Sequence, residues 1–277
     1  MSRLAVLRVA GAGLALLTSA WPTSAQVRDG VPELMPGVPA GYLLEDEKLD
    51  SVALLPAPPG SGSESGALDQ QMHNRAAALR GTPRWELAKR DASLAPDDAV
   101  GAFACAVGIE ISRTGTPRLY QMLQRVMVDA GTSADGAKRR YQALRPFVVN
   151  GETMCTPEED AELRADGSYP SGHTALGWGA ALALVEVAPD RANQIIARGR
   201  SFGESRMICN VHWQSDILAG RFMAGATVAK IHSNPHFRED MAIARQEYLR
   251  ARDDEVKPSR DCNAESSALA IRLPGAL

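Results

Sequence analysis

Apolar residues recur along this chain at three- and four-residue spacing, and the interruptions are proline, glycine and short polar clusters. That period gives each segment one apolar stripe and predicts an all-α, single helical-bundle domain rather than sheet. Thr82-Pro83 opens a segment with Trp85 and Leu87. Pro96-Asp97-Asp98 precedes Val100, Phe103, Ala104 and Val107. Thr116-Pro117 starts the run Leu119, Met122, Leu123, Val126 and Met127, which Gly131 closes. Proline suits the first turn of a helix, where its missing N–H is no loss. Ser133 is the expected N-cap of a helix carrying Lys138, Arg139, Arg140, Tyr141, Leu144 and Arg145, ended by Pro146. On that helix Lys138 and Arg145 would share one face, about 10 Å apart along the axis. Residues 147 to 168 read as a connection with a short helix at Thr156-Pro157-Glu158-Glu159, where Thr156 caps. An apolar helix then begins near His173, and Asp190 caps a further one through Ala192, Ile195, Ile196 and Arg198. A helix starting at His212 would put His212 and Asp216 on one face, one turn apart.

The N-terminal end breaks this pattern. A basic start, the apolar run Val9 to Trp21 and the small residues Thr23-Ser24-Ala25 predict an export signal over residues 1–25, cleaved before Gln26. The run is shorter than the ~20 residues a spanning anchor needs. Residues 26–66 are rich in Pro and Gly and read as an extended arm lying over a helical domain at 67–250, with a C-terminal tail at 251–277. The composition, 45% apolar and 23% charged, is that of an ordinary globular chain, and a net charge of −3 supplies no field to attract nucleic acid. Anion binding must therefore be local. Four cysteines in an exported chain allow three disulfide pairings. Cys155 with Cys209 is favoured because both flank the candidate site, which leaves Cys105 with Cys262; free buried thiols are the alternative. No Cys-x-x-Cys or other metal-ligand cluster is visible, and no metal or cofactor is expected.

The candidate chemistry collects at three places. Gly167-Ser168-Tyr169-Pro170-Ser171-Gly172-His173-Thr174 is a tight turn running into a helix, whose first N–H groups and positive dipole end suit an anion. Gly172 allows close backbone approach, and His173 stands ready to exchange a proton. Lys138 and Arg145 supply positive charge, and Arg206 adds a bidentate donor suited to phosphate oxygens. Asp216 can fix one nitrogen of His212 and leave the other as a nucleophilic lone pair. Glu204 would bias the site against highly charged anions if it faced inward. His73, His232 and His236 have no such company.

Lys138-x6-Arg145-Pro146, Pro170-Ser171-Gly172-His173 and Ser205-Arg206-x5-His212-x3-Asp216 together resemble the three-part motif of the type 2 phosphatidic acid phosphatase superfamily and the vanadium-dependent haloperoxidases. The Gly167–Thr174 octet, Asp50-Ser51-Val52-Ala53-Leu54-Leu55-Pro56, His212-Trp213-Gln214-Ser215-Asp216 and His232-Ser233-Asn234-Pro235 are similar to the class A bacterial non-specific acid phosphatases in particular. The resemblance implies an all-helical domain, metal-free hydrolysis of phosphate monoesters and a periplasmic location. It implies that His212 attacks phosphorus, Asp216 orients it, and His173 serves as general acid and then base. Lys138, Arg145, Arg206, the Ser171 hydroxyl and the Gly172 N–H would hold the phosphate oxygens. Nucleotides, sugar phosphates and aryl phosphates are all open as substrates, phosphoanhydride cleavage or phosphotransfer are variants of the same chemistry, and a homo-oligomer is plausible. A vanadate haloperoxidase, an integral lipid phosphatase and a phosphate-binding protein without turnover are the competing readings. Because both histidines start near ~6.5, Asp216 and the cations are expected to separate them and give a bell-shaped profile with an acidic optimum.

Overall fold

A computed structural model describes residues 27–275; the expected signal segment lies outside them. Apart from a two-stranded antiparallel ribbon at Glu33–Met35 and Val38–Pro39, the regular structure is helical. At the centre is the Gly172–Val187 helix, which packs against Pro117–Thr132, Ala192–Ile208 and Gln214–Ile231. Its sequence, GHTALGWGAALALVEV, has no charged residue before Glu186, so it can be surrounded on nearly every side. The Pro83–Arg90 and Pro235–Asp253 helices close the bundle.

Two glycines set distances that matter at the site. Gly177 lets the Phe202 ring lie against the central helix; a Cβ there would overlap the ring. A Cβ on Gly220 would stand 2.5 Å from the Ser171 carbonyl oxygen, so Gly220 lets the Gln214–Ile231 helix press onto the turn before His173. Gly220→Ala is expected to lower unfolding stability by about 1–3 kcal/mol, the usual cost of overpacking. Denaturant titration checks it.

Residues Arg28 and Tyr42 contact the bundle. Arg28 pairs with Asp240 (3.0 Å) and Glu239 (2.6 Å), the Tyr42 N–H donates to Asp129 Oδ2 (2.6 Å), and the Tyr42 hydroxyl donates to Asp240 Oδ2 (2.8 Å). The arm is not uniformly extended: Ser51–Leu54 forms a helical turn because the Asp50 carboxylate accepts the Val52 and Ala53 N–H groups, and Ser63 caps a helix from Glu64 to Ala77.

The helix expected to carry both Lys138 and Arg145 is two helices. Asp135–Tyr141 ends at Gln142, which turns left-handed (φ 45°), and Pro146 opens the next helix, Pro146–Asn150. Ser133 belongs to the end of Pro117–Thr132 instead of capping a start. Proline restricts the residue before it to extended backbone, so Arg145 stands in a connection (ψ 153°) and shares no helix face with Lys138. Disulfides join Cys155 to Cys209 and Cys105 to Cys262, the second tying the Cys262–Ala270 helix to the bundle. Among the described residues no helix is long and apolar enough to cross a membrane.

Candidate active site

The Gln214–Ile231 helix begins two residues after His212, with Trp213 as N-cap. His212 and Asp216 nevertheless meet, because the Asp216 carboxylate reaches back over the first turn. Its Oδ2 accepts from the Trp213 N–H (2.8 Å), Ser168 Oγ (2.5 Å) and His212 Nδ1 (3.1 Å). The proton of the neutral ring is therefore on Nδ1 and the lone pair on Nε2, 3.0 Å from Arg145 Nη1. Both residues are buried. Burial pushes His212 well below its ordinary value, and Arg145, Lys138 and Arg206 push it further; burial raises Asp216 to about 7 against the hydrogen bond from Ser168. Ser168, the second residue of the Gly167–Thr174 octet, is invisible to sequence reading: a serine in a turn carries no signal of a partner 48 positions away.

The three cations are held differently. Lys138 Nζ donates to Asp166 Oδ2 (2.5 Å) and to the Gly167 carbonyl (2.6 Å). Arg145 donates from Nε to the Leu163 carbonyl (2.9 Å), from Nη1 to the Val211 carbonyl (3.0 Å) and from Nη2 to Asp166 Oδ2 (2.9 Å). The two converge through the loop after the Asp160–Ala165 helix, with the half-exposed Asp166 bridging them. Arg206 is the exception. It is 2% exposed, and its Nε and Nη1 have no hydrogen-bond partner. Burial lowers it to about 10, with the Glu159 carboxylate opposing. Two unmatched donors on a buried guanidinium are costly, and an anion beside them would satisfy both.

The turn before the central helix completes the site. Ser171 is the N-cap, its Oγ accepting from the Thr174 N–H (3.2 Å), and its own N–H donates to the Asp216 carbonyl (3.0 Å), which ties the turn to the His212 side. Gly172 and His173 supply first-turn N–H groups that have no intrahelical acceptor. His173 Nε2–H donates to the Asp91 carbonyl (2.8 Å), the ring stacks on Phe202 (5.4 Å between centroids, 20° between planes), and Nδ1 is left for chemistry. Burial, followed by Arg206, pushes His173 well below its ordinary value. The two histidines are thus shifted the same way.

Every residue singled out for the site is brought to this one place: Lys138, Arg145, Ser171, Gly172, His173, Arg206, His212 and Asp216. Glu204 is not part of it. Its carboxylate lies 3.1 Å from Arg200 Nε and lines a separate cavity of about 340 Å³ with Arg84, Arg191 and Arg272, so it does not face the histidine pair. His232 pairs with Glu186 at the surface (2.8 Å), and His73 packs edge-on against Trp213. Among the described residues no three His, Cys, Asp or Glu side chains gather as a metal-holding group.

Fold and site together define an all-α protein with buried cations gathered beside a pair of histidines. Residues 122–239 match the PAP2 superfamily. The chain is 41% identical over 210 residues to a non-specific acid phosphatase of Providencia stuartii, covering 76% of this chain and 85% of that protein. It is 39% identical to an acid phosphatase of Zymomonas mobilis (79% and 83% covered) and 38% identical to a non-specific acid phosphatase of Salmonella typhimurium (73% and 81%). The chain belongs to the PAP2 superfamily and, within it, to the class A non-specific acid phosphatases. It is an acid phosphatase.

Proposed function

We propose that this enzyme is exported and hydrolyses a broad range of phosphate monoesters in two steps, without a metal, through a phosphohistidine on His212. The observation that carries the reading is Arg206, a buried guanidinium with free donors beside two histidines and a helix N-terminus. Export is supported by the N-terminal segment and by two disulfides, which belong to an oxidising compartment.

A phosphoryl group would take its donors from Arg206, the Gly172 and His173 N–H groups, the Ser171 hydroxyl and Lys138. In the free enzyme Arg145 Nη1–H caps the His212 lone pair. A phosphate oxygen that claims this N–H uncaps the nucleophile as the substrate arrives. The Nε2 lone pair then forms the N–P bond, the ester P–O bond breaks, and the leaving oxygen takes the proton from His173 Nδ1. In the second step water attacks phosphorus and gives a proton to the same Nδ1, the N–P bond breaks, and phosphate leaves. Fixed donors stabilise the charge on the equatorial oxygens throughout.

Burial and the cations depress both histidines, which favours their neutral forms in the free enzyme. The productive complex needs one proton more, on His173. It arrives with the substrate monoanion, whose second ionisation lies near ~6. Hence kcat/KM is expected to fall about tenfold per unit above ~pH 6, as the substrate becomes a dianion, and to fall on the acid side only where His212 itself protonates. Hydrolysis of glycerol phosphate, whose alkoxide leaving group needs the acid, from about pH 4 to about pH 9, with EDTA present throughout and vanadate added as a competitor, tests the whole reading. Activity abolished by EDTA, or a rate still rising at the alkaline end, would refute it. Halide oxidation by vanadate and peroxide without ester hydrolysis would replace it with the haloperoxidase.

A further inference from the structure

We propose that Asp91 is a positioning residue for the general acid: its clamped carboxylate aims its own backbone carbonyl at His173 and so decides which ring nitrogen carries the transferable proton. The inference rests on the reading of His173 given above and extends it to a residue 82 positions away.

Asp91 closes the Pro83–Arg90 helix, where its N–H is bound to the Leu87 carbonyl, and it is buried at 3% exposure. Its side chain is held by the Ala192–Ile208 helix. Arg198 holds both carboxylate oxygens through Nη1 (3.0 Å) and Nη2, and Ser205 Oγ donates to Oδ2 (2.6 Å). Arg84 Nη1 donates in turn to Ser205 Oγ (3.0 Å). On the far side Arg198 Nε donates to the Ala102 carbonyl (3.0 Å) and lies 3.5 Å from Glu265 Oε1, on the helix that the Cys105–Cys262 disulfide ties down. A bidentate charged pair inside the protein leaves residue 91 little rotational freedom.

The consequence falls on the other face of the same residue. The Asp91 carbonyl can only accept, so it fixes the His173 proton on Nε2 and makes Nδ1 the group that donates to the leaving oxygen. Phe202, stacked on the ring, limits its tilt. Arg198, Phe202 and Ser205 all project from the Ala192–Ile208 helix, at positions three and four residues apart, and the next residue is Arg206. One helix face therefore sets the orientation of the acid while its neighbouring residue receives the phosphate.

A proton is needed most where the leaving oxygen is basic. An alkyl phosphate releases an alkoxide and depends on the acid, whereas p-nitrophenolate departs without one. The test compares kcat/KM, which reports phosphoryl transfer to His212, for glycerol phosphate and p-nitrophenyl phosphate in the full enzyme and in Asp91→Asn, Ser205→Ala and His173→Ala. Asp91→Asn is expected to reduce the glycerol phosphate value about 10²-fold and the p-nitrophenyl phosphate value less than about tenfold. Ser205→Ala removes one hydrogen bond to the carboxylate and leaves the Arg198 pair, so it should give the same bias at about threefold and decides the matter if Asp91→Asn does not fold. His173→Ala calibrates the scale with the largest bias. If His173→Ala is biased while the other two slow both esters equally, Asp91 only supports the fold and the inference is overturned with the acid reading intact. If His173→Ala shows no bias, the general-acid reading fails and takes the inference with it.

Discussion

His212→Ala is expected to lower kcat on p-nitrophenyl phosphate by about 10⁴- to 10⁶-fold, as loss of a nucleophile does in other enzymes that work through a covalent intermediate. The effect is large because the other buried imidazole of the site, His173, carries the transferable proton on Nδ1 in the productive complex and so has no lone pair to offer. Asp216 and Ser168 hold the Nδ1 side, and Lys138, Arg145 and Arg206 are cations. KM should change little, since the phosphate-holding donors remain. Brief reaction with labelled substrate followed by alkaline quenching should trap an acid-labile, base-stable phosphoenzyme in the wild type and none in the variant. A variant that retains the label would move the nucleophile elsewhere.

Arg206→Met should act in two opposite directions. Methionine fills a comparable part of the pocket without charge, so kcat/KM should fall on the order of 10²–10³, the usual cost of deleting one fixed donor to a developing oxyanion. The ligand-free protein, however, should gain about 1–3 kcal/mol of stability, because replacing a buried unpaired guanidinium by an apolar side chain removes its desolvation cost. In a chain of this size that is a rise in Tm of a few degrees, about 2–4 °C per kcal/mol. Inorganic phosphate should stabilise the wild type in a concentration-dependent way and the variant much less. Thermal melts with and without phosphate read both effects. A variant less stable than the wild type would mean that Arg206 serves the fold and not an anion.

Much of the site could be read along the chain. The helix N-terminus at Gly172, the His212–Asp216 pair and the donor at Arg206 are each written in a few adjacent positions, and the spacing among three such pieces is specific. The arrangement of Lys138 and Arg145 could not be read so. A seven-residue interval implies one helix face only while the helix continues, and Gln142 and Pro146 break it; the two cations meet because Asp166 and the Gly167 carbonyl bind both. Similarly, His212 lies outside the helix that was to carry it, yet the predicted contact forms because Asp216 bends back to cap the first turn.

By itself the sequence determined the helical class, the residues with the right chemistry and the family they belong to, since helical period and turn chemistry act over a few neighbouring residues. Tertiary structure alone decided that Ser168 and Asp91 stand behind the two histidines, that Asp166 bridges the cations, that Glu204 faces away, and that Arg206 is left with free donors. These are hydrogen bonds and vacancies between segments far apart in the chain. Their partners are chosen by how helices pack, and helix packing leaves no period in the sequence that would identify them.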